Sequence, residues 1–218
     1  ASPSLPSLPL PFPDARLGFN FSIPMGESDR TSHQAEFQDR LRAGDRHRAA
    51  EEMEHARAEY LQALAYAETH LGKESPEVDR ACLALASLYS ALDEPAEERA
   101  ALERRVGIRR RKGEVAEIVD ALQDVAQCLS DQAKPDEARA AYVEAIALCD
   151  ESAEAHRAIL RSTLLYFGNF LLRGDLPAEA LPRFEQGLRL CRQEQPFPAF
   201  GAARLLLHRG EALLALQR

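Results

Sequence analysis

A repeated spacing of small and large residues constrains this chain more than any other feature. A small residue recurs at positions 86, 126, 168 and 210, with separations of 40, 42 and 42. A large residue recurs at positions 60, 102, 142 and 184, with separations of 42, 40 and 42. Small residues let two helices cross closely, and a large residue opposite fills the space beside the crossing. Two independent markers with one period predict stacked helix pairs that bury their apolar faces against one another.

Helix start and stop signals divide the chain from residue 28 onward. Four prolines follow short polar stretches and suit the first turn of a helix, namely Pro76, Pro95, Pro135 and Pro177. Glycines stand where helices are expected to end, at positions 44, 72, 113 and 174. We predict helices over 29–43, 46–71, 76–92, 95–112, 114–131, 135–150, 153–173, 177–192 and 198–217. No segment alternates with period two, so no strand is predicted.

The repeat residues resemble the tetratricopeptide repeat (TPR). The first helix of a TPR carries large–small–large positions, and its second helix carries Ala, an aromatic residue and Ala. One unit of this chain shows both patterns, with Leu122, Ala126 and Leu129 followed by Ala138, Tyr142 and Ala145. The period exceeds the usual ~34 residues, and the segment 71–76 is similar to the connector of the longer kinesin light chain repeats.

The resemblance covers about residues 30–218 and implies an all-α fold, a right-handed α-solenoid of antiparallel helix pairs. The chain departs from the TPR pattern where Glu98 and Arg105 replace the expected Ala. Pro182 falls inside a predicted helix, which it should kink or start later.

In TPR arrays the first helix of each pair lines a concave face that binds other proteins. By this register, the resemblance implies a groove formed by Arg80, Leu83, Ser87, Asp120, Gln123, Gln127, Asp131, Ser162, Leu165, Asn169 and Arg173. Such a mixed polar strip suits an extended peptide, whose backbone the amides of Gln123, Gln127 and Asn169 could bind. These amides are equally consistent with ordinary solvated residues. Leu83 and Ser87 replace residues of the carboxylate clamp for chaperone tails, so that ligand is not expected.

Two further features suggest attachment to a partner. Residues 1–28 hold six of the thirteen prolines interleaved with apolar residues, and we expect an extended arm that lies on its own helices or on a partner. The last helix spreads leucines around most of its circumference, whereas a solenoid normally ends on a polar face. This predicted docking end comprises Leu205, Leu206, Leu207, Leu213 and Leu214.

A dense basic run comprises Arg104, Arg105, Arg109, Arg110, Arg111 and Lys112. Cations are favoured in the last turn of a helix, and this position alone explains part of the run. The alternative is a patch that docks an acidic partner segment. The formal net charge of −8 disfavours nucleic acid as a partner.

Motifs for catalysis, nucleotides and metals are not found. Gly72-Lys73 lacks the upstream Gly of a phosphate-binding loop. His47, Glu51 and His55 share a helical face at a spacing that could hold a metal, but their charged neighbours are typical of a solvated face, and we predict no metal or other cofactor. An enzyme remains possible only if distant residues converge.

Apolar runs and cysteine spacing limit the cellular compartments that are expected for this chain. No apolar run approaches the roughly 20 residues that span a bilayer, so no membrane insertion is expected. Cys82, Cys128, Cys149 and Cys191 lie far apart, which favours reduced thiols in an intracellular compartment, either the cytoplasm or an organelle matrix such as that of mitochondria. Because the sequence begins at Ala1, we expect an excised piece or a processed product, for example after removal of a transit peptide.

The sequence therefore predicts a non-enzymatic scaffold for protein–protein interactions. We favour an accessory or assembly subunit that is built into a larger complex, because this role uses the arm and the apolar last helix. The alternative is an adaptor that binds a peptide reversibly in its concave groove.

Overall fold

The computed structural model describes residues 27–112, 114–151 and 153–217, and the predicted Pro-rich arm lies almost entirely outside them. The described residues form helices and connecting turns, without a strand. The helices are α1 (Glu27–Ala49), α2 (Met53–His70), α3 (Pro76–Ala91), α4 (Pro95–Lys112), α5 (Val115–Asp131), α6 (Pro135–Ala147), α7 (Glu154–Arg173), α8 (Pro177–Gln193) and α9 (Ala199–Leu216).

Consecutive helices pack as antiparallel pairs, α1 with α2, α3 with α4, α5 with α6 and α7 with α8. First helices of successive pairs also touch, α1 with α3, α5 with α7 and α7 with α9, whereas the backbones of α3 and α5 do not approach each other as closely. Helix α9 contacts α8 and α7, and no described helix follows it as a partner. The described chain is thus a stack of four helix pairs that ends on a single first-type helix.

The small and large markers of the repeat lie at the helix crossings, as predicted. Ala86, Ala126 and Gly168 are buried, and so are Leu102, Tyr142 and Phe184 opposite them. At Gly168 the approach is closest, because an added Cβ would lie 2.3 Å from a ring carbon of Phe184. The backbone of α7 therefore rests directly on the Phe184 ring.

The boundary between the first two helices differs from the prediction. Gly44 does not end a helix but lies buried inside α1, where an added Cβ would be 2.4 Å from the ring of Tyr60. Gly44 is thus a further small marker, one repeat period before Ala86. The glycine was interpreted as a stop because its close contact with Tyr60 is a tertiary feature, invisible to a local signal.

Pro182 does not delay the start of α8, since the helix begins at Pro177 and continues past it, and the predicted kink stays a prediction. Pro177 occupies the first turn of α8, as Pro76 and Pro135 do in α3 and α6. These first-turn prolines fix the starts of three helices, because the missing N–H has no helical partner at that position.

The turn inside each helix pair has the same backbone conformation in all four pairs. Glu51, Asp93, Ala133 and Asp175 all have left-handed backbone, with φ between 56° and 62°. In each turn the next residue donates its N–H to a carbonyl five residues earlier, for example Lys134 N to Leu129 O at 2.9 Å. This is the Schellman arrangement that usually carries glycine. Left-handed backbone strains any residue with a Cβ by about 1 kcal/mol or more.

Replacing Ala133 by Gly should therefore raise the free energy of unfolding by about 1 kcal/mol, because glycine relieves the strain at φ 56°. Urea denaturation measures this gain. Ala140→Gly is the matched control, since Ala140 lies exposed within α6. There the same exchange should cost about 1 kcal/mol. Two losses of equal size would contradict the assignment of strain to the turn.

Candidate protein-binding surfaces

The basic run in α4 is neutralised by carboxylates of this chain. Arg104 pairs with Glu68, Arg110 with Glu144, and Arg111 with Glu74 at 2.6 Å. These carboxylates belong to α2, α6 and the turn before α3, so the arginines tie α4 to its neighbours. The Lys112 side chain lies outside the described part of the structure.

Arg105 and Arg109 lie deeper and form a network with acidic residues of α3 and α5. Arg105 is 4% exposed and its guanidinium contacts Asp79, Asp120 and Asp124. Arg109 donates to the buried Asp79 at 2.7 Å and also pairs with Glu117. The hydrogen bond to Asp79 raises the pKa of Arg109. The structure therefore does not bring the basic run together as one exposed patch, because these two members face inward.

The structure also sorts the predicted groove residues into exposed and buried sets. Gln123 is 8% and Leu165 is 4% exposed, so both pack between helices instead of facing a ligand. Gln123 Nε2 donates to the Val119 carbonyl of its own helix at 3.4 Å. Partly or fully exposed are Arg80, Leu83, Ser87, Asp120, Gln127, Asp131, Ser162, Asn169 and Arg173.

A hydrogen-bonded group of predicted groove residues links α5 to α7. Gln127 Nε2 donates to Asp131 Oδ1 at 2.8 Å, and Arg173 donates to Gln127 Oε1 at 3.2 Å. These polar side chains are therefore already partnered within the chain, and a ligand would have to compete with those bonds.

Asn169, one of the predicted groove residues, has unused hydrogen-bonding capacity. Its Nδ2 lies 3.4 Å from His208 Nε2, while its buried Oδ1 has no hydrogen-bond partner among the described residues. A cleft of about 340 Å³ opens beside it, lined also by Tyr166 and Arg173. A buried acceptor without a partner costs free energy, and a donor entering this cleft would remove that cost.

Helix α9 adds residues beside the predicted groove that the sequence analysis did not assign. His208 and Glu211 line the cleft beside Asn169 and contact each other at 2.7 Å. Arg204 lies over the rings of Tyr166 and Phe200, at 5.9 and 6.0 Å from the centroids. The repeat register reaches Gly210, and its groove positions there include Arg204 and Glu211, but the sequence analysis assigned groove residues only in the earlier units.

The leucines of α9 divide into one buried residue and an exposed group. Leu205 is buried and packs against Gly187 of α8, where an added Cβ would meet it at 2.8 Å. Leu206, Leu207 and Leu214 are 54%, 61% and 64% exposed, and Leu213 is partly buried. Most of the predicted docking end is therefore an exposed apolar face.

The residues considered for metal binding are arranged differently from the prediction. Because α1 ends at Ala49, Glu51 lies in the turn at φ 62° and leaves the face that the spacing assigned to it. The neighbouring Glu52 takes its place beside His47 and His55.

Nucleophilic chemistry is not favoured at the described cysteines. All four are free, and burial raises the pKa of Cys82 and of Cys128 to about 11. At neutral pH these two side chains are therefore thiols and not thiolates, the form that attacks substrates.

Among the described residues no helix is long and apolar enough to cross a membrane.

Comparison with known proteins identifies the fold of this chain but not its biological role. No family model and no curated protein matches this chain. Among solved structures, the chain is similar to BtubC (BKLC) from P. vanneervenii, with a TM-score of 0.66 and 16% identity over 88% of this chain and 84% of that one. A putative kinesin light chain from Podosopora anserina with TPR-like repeats gives a TM-score of 0.57 and 16% identity over 84% and 92%.

PilF of Pseudomonas aeruginosa is also similar, with a TM-score of 0.53 and 20% identity over 85% of this chain and 74% of that one. At these identities the likeness establishes the fold alone. The predicted all-α, TPR-like solenoid is confirmed.

Proposed function

We propose that this chain, which has the TPR-like repeat fold, is a protein-interaction scaffold that is built into a larger assembly through α9. The single observation that carries the proposal is the open space beside Gly210 of this helix. In each of the four helix pairs, a small residue of the first helix faces a large residue of the second at one constant spacing, 44 with 60, 86 with 102, 126 with 142 and 168 with 184. Gly210 of α9 holds the same register position, and an added Cβ there would meet nothing within 4 Å.

The surroundings of Gly210 support an acceptor for a helix. Leu206 corresponds by register to Leu164, which is fully buried and clusters with Leu190 of α8. Leu206 itself is 54% exposed. An exposed apolar face of this kind is typical of an interaction site. The fitting occupant is a helix that runs antiparallel to α9 and places a large apolar residue against Gly210.

The acceptor is tested by supplying such a helix within the chain. A second copy of Pro177–Gln193 attached directly after Arg218 would give the copied Phe184 the same spacing from Gly210 that Phe184 has from Gly168. We expect this extended chain to be more stable than a control whose copied phenylalanine is replaced by Ala, by about 3 kcal/mol, the cost of truncating a buried Phe. If urea denaturation gave the two extended chains equal stability, this would contradict the proposal that α9 accepts a helix.

The role in an assembly is tested with tagged full chains expressed in their native cells. Leu207→Asp with Leu214→Asp changes two exposed side chains and should abolish co-purification of a stoichiometric partner. Retention of that partner by the α9 variant would contradict the proposal.

The second candidate is a peptide adaptor, favoured by the unpartnered Oδ1 of Asn169 and the cleft beside it. Its matched variant in the same assay is Gln127→Ala with Asn169→Ala, because Gln123 is buried. Loss of the partner in this variant alone would favour the groove over α9. The predicted arm, residues 1–28, stays a further candidate attachment, as does binding of an acidic segment by the exposed Arg110 and Arg111.

A further inference from the structure

Three side chains that can bind a metal meet at the turn between α1 and α2. His47 lies in the last turn of α1, Glu52 in the connecting turn and His55 in the first turn of α2. One nitrogen or oxygen atom of each lies within 4.8 Å of the other two. His47 Nδ1 and Glu52 Oε2 are 2.5 Å apart, and the two imidazole rings stack with centroids 5.3 Å apart. The scaffold role proposed above does not use these residues.

The backbone holds the three residues in a fixed relation. Glu51 is left-handed, and Glu52 donates its N–H to the His47 carbonyl at 2.9 Å. This bond closes the Schellman turn and places the end of α1 directly beside the start of α2. The donor atoms therefore converge because of the turn, and their spacing along one helix is not the cause.

The other three described turns of the same type carry no comparable set. At the positions of His47, Glu52 and His55 they have Tyr89, Glu94 and Glu97; Leu129, Lys134 and Glu137; and Leu171, Leu176 and Glu179. The first position is a packing residue in later pairs, since Leu129 and Leu171 are buried. A histidine at this position is not required by the packing of the turn.

We propose that His47, Glu52 and His55 form a zinc-binding site that clamps the α1–α2 turn. Two imidazole nitrogens and one carboxylate oxygen, with water as the fourth ligand, form a donor set typical of open zinc sites. One carboxylate is too few for Ca²⁺, and Mg²⁺ also prefers oxygen ligands. This proposal departs from the sequence-based expectation, which placed Glu51 in the set and predicted no metal.

The geometry needs only side-chain adjustment. Ligand atoms around a tetrahedral zinc ion lie about 3.3 Å apart, given bonds of about 2.0–2.1 Å. Glu52 and His55 are exposed, so their side chains can rotate to reach this spacing without moving the backbone. A bound ion would link two helices across their turn, and because the unfolded chain lacks this arrangement, binding would stabilise the folded first pair.

The test is isothermal titration of the metal-free full chain with zinc chloride, in a thiol-free reductant. We expect one ion per chain and a higher thermal midpoint with zinc. His47→Ala and His55→Ala should each weaken binding at least about tenfold, since even residues that only orient metal ligands contribute that much. Both variants should also lose the zinc-dependent rise in the midpoint.

His208→Ala is the matched control, because His208 also contacts a carboxylate, that of Glu211, but among the described residues has no second histidine in its group. It should bind zinc like the wild type. Undetectable binding to the wild type would overturn the proposal. Binding that survives in both His47→Ala and His55→Ala would also overturn it, because the ion would then be held by other side chains.

Discussion

Replacing Gly168 by Ala should lower the free energy of unfolding by about 2 kcal/mol, although the same exchange in an open helix is stabilising. The added methyl carbon would lie 2.3, 2.6 and 2.9 Å from three ring carbons of Phe184. Overpacking of this kind costs up to about 3 kcal/mol. Alanine recovers about 1 kcal/mol through its higher helix propensity, which leaves the net loss.

The matched control is Gly210→Ala, which changes the equivalent register position in α9. An added Cβ there meets nothing within 4 Å, so the helix propensity acts alone and should raise stability by about 1 kcal/mol. Urea denaturation of both variants measures the difference. A neutral or stabilising Gly168→Ala would contradict the interpretation of the small residues as crossing points.

The chain itself provides a rescue for Gly168→Ala. The second helix pair uses Ala86 opposite Leu102, a smaller combination than alanine and phenylalanine. Adding Phe184→Leu to Gly168→Ala recreates that combination, and the double variant should be more stable than the sum of the single effects. Additive effects would show that the two positions do not share a contact.

Replacing Arg105 by Ala should cost about 3 kcal/mol. The Arg105 side chain is 4% exposed, and its removal leaves Asp79, Asp120 and Asp124 without this partner. Breaking a buried ion pair from one side costs about 3–5 kcal/mol. We expect the lower end, because Asp120 and Asp124 reach solvent and Asp79 keeps its contact with Arg109.

Arg110→Ala is the control for Arg105→Ala, since Arg110 pairs with Glu144 at the surface of the same helix. An exposed pair contributes about 0–1 kcal/mol. Arg105→Met keeps the aliphatic stem and separates lost packing from lost charge. If Arg105→Ala and Arg110→Ala had equal effects on urea denaturation, the inward network would not be a stability element.

The sequence alone determined the helix pairs, their period and most helix starts. These features depend on residues close in sequence, such as the first-turn prolines of α3, α6 and α8. The small and large markers added the pairing of helices, because both follow one period. The period is a spacing of residue types along the chain, so it could be predicted without the structure.

Only the tertiary structure decided which side chains remain available. Gln123 and Leu165 share the register of groove residues, yet neighbouring helices bury them. Arg105 and Arg109 belong to a basic run for which the sequence left an exposed patch as one alternative, but both pair with the buried Asp79 of α3. Glu52, and not Glu51, meets His47 because the turn between α1 and α2 rotates the chain there. Exposure, ion pairing and convergence of donor atoms depend on contacts between residues far apart in sequence, and a periodic pattern within one helix carries no information about those contacts.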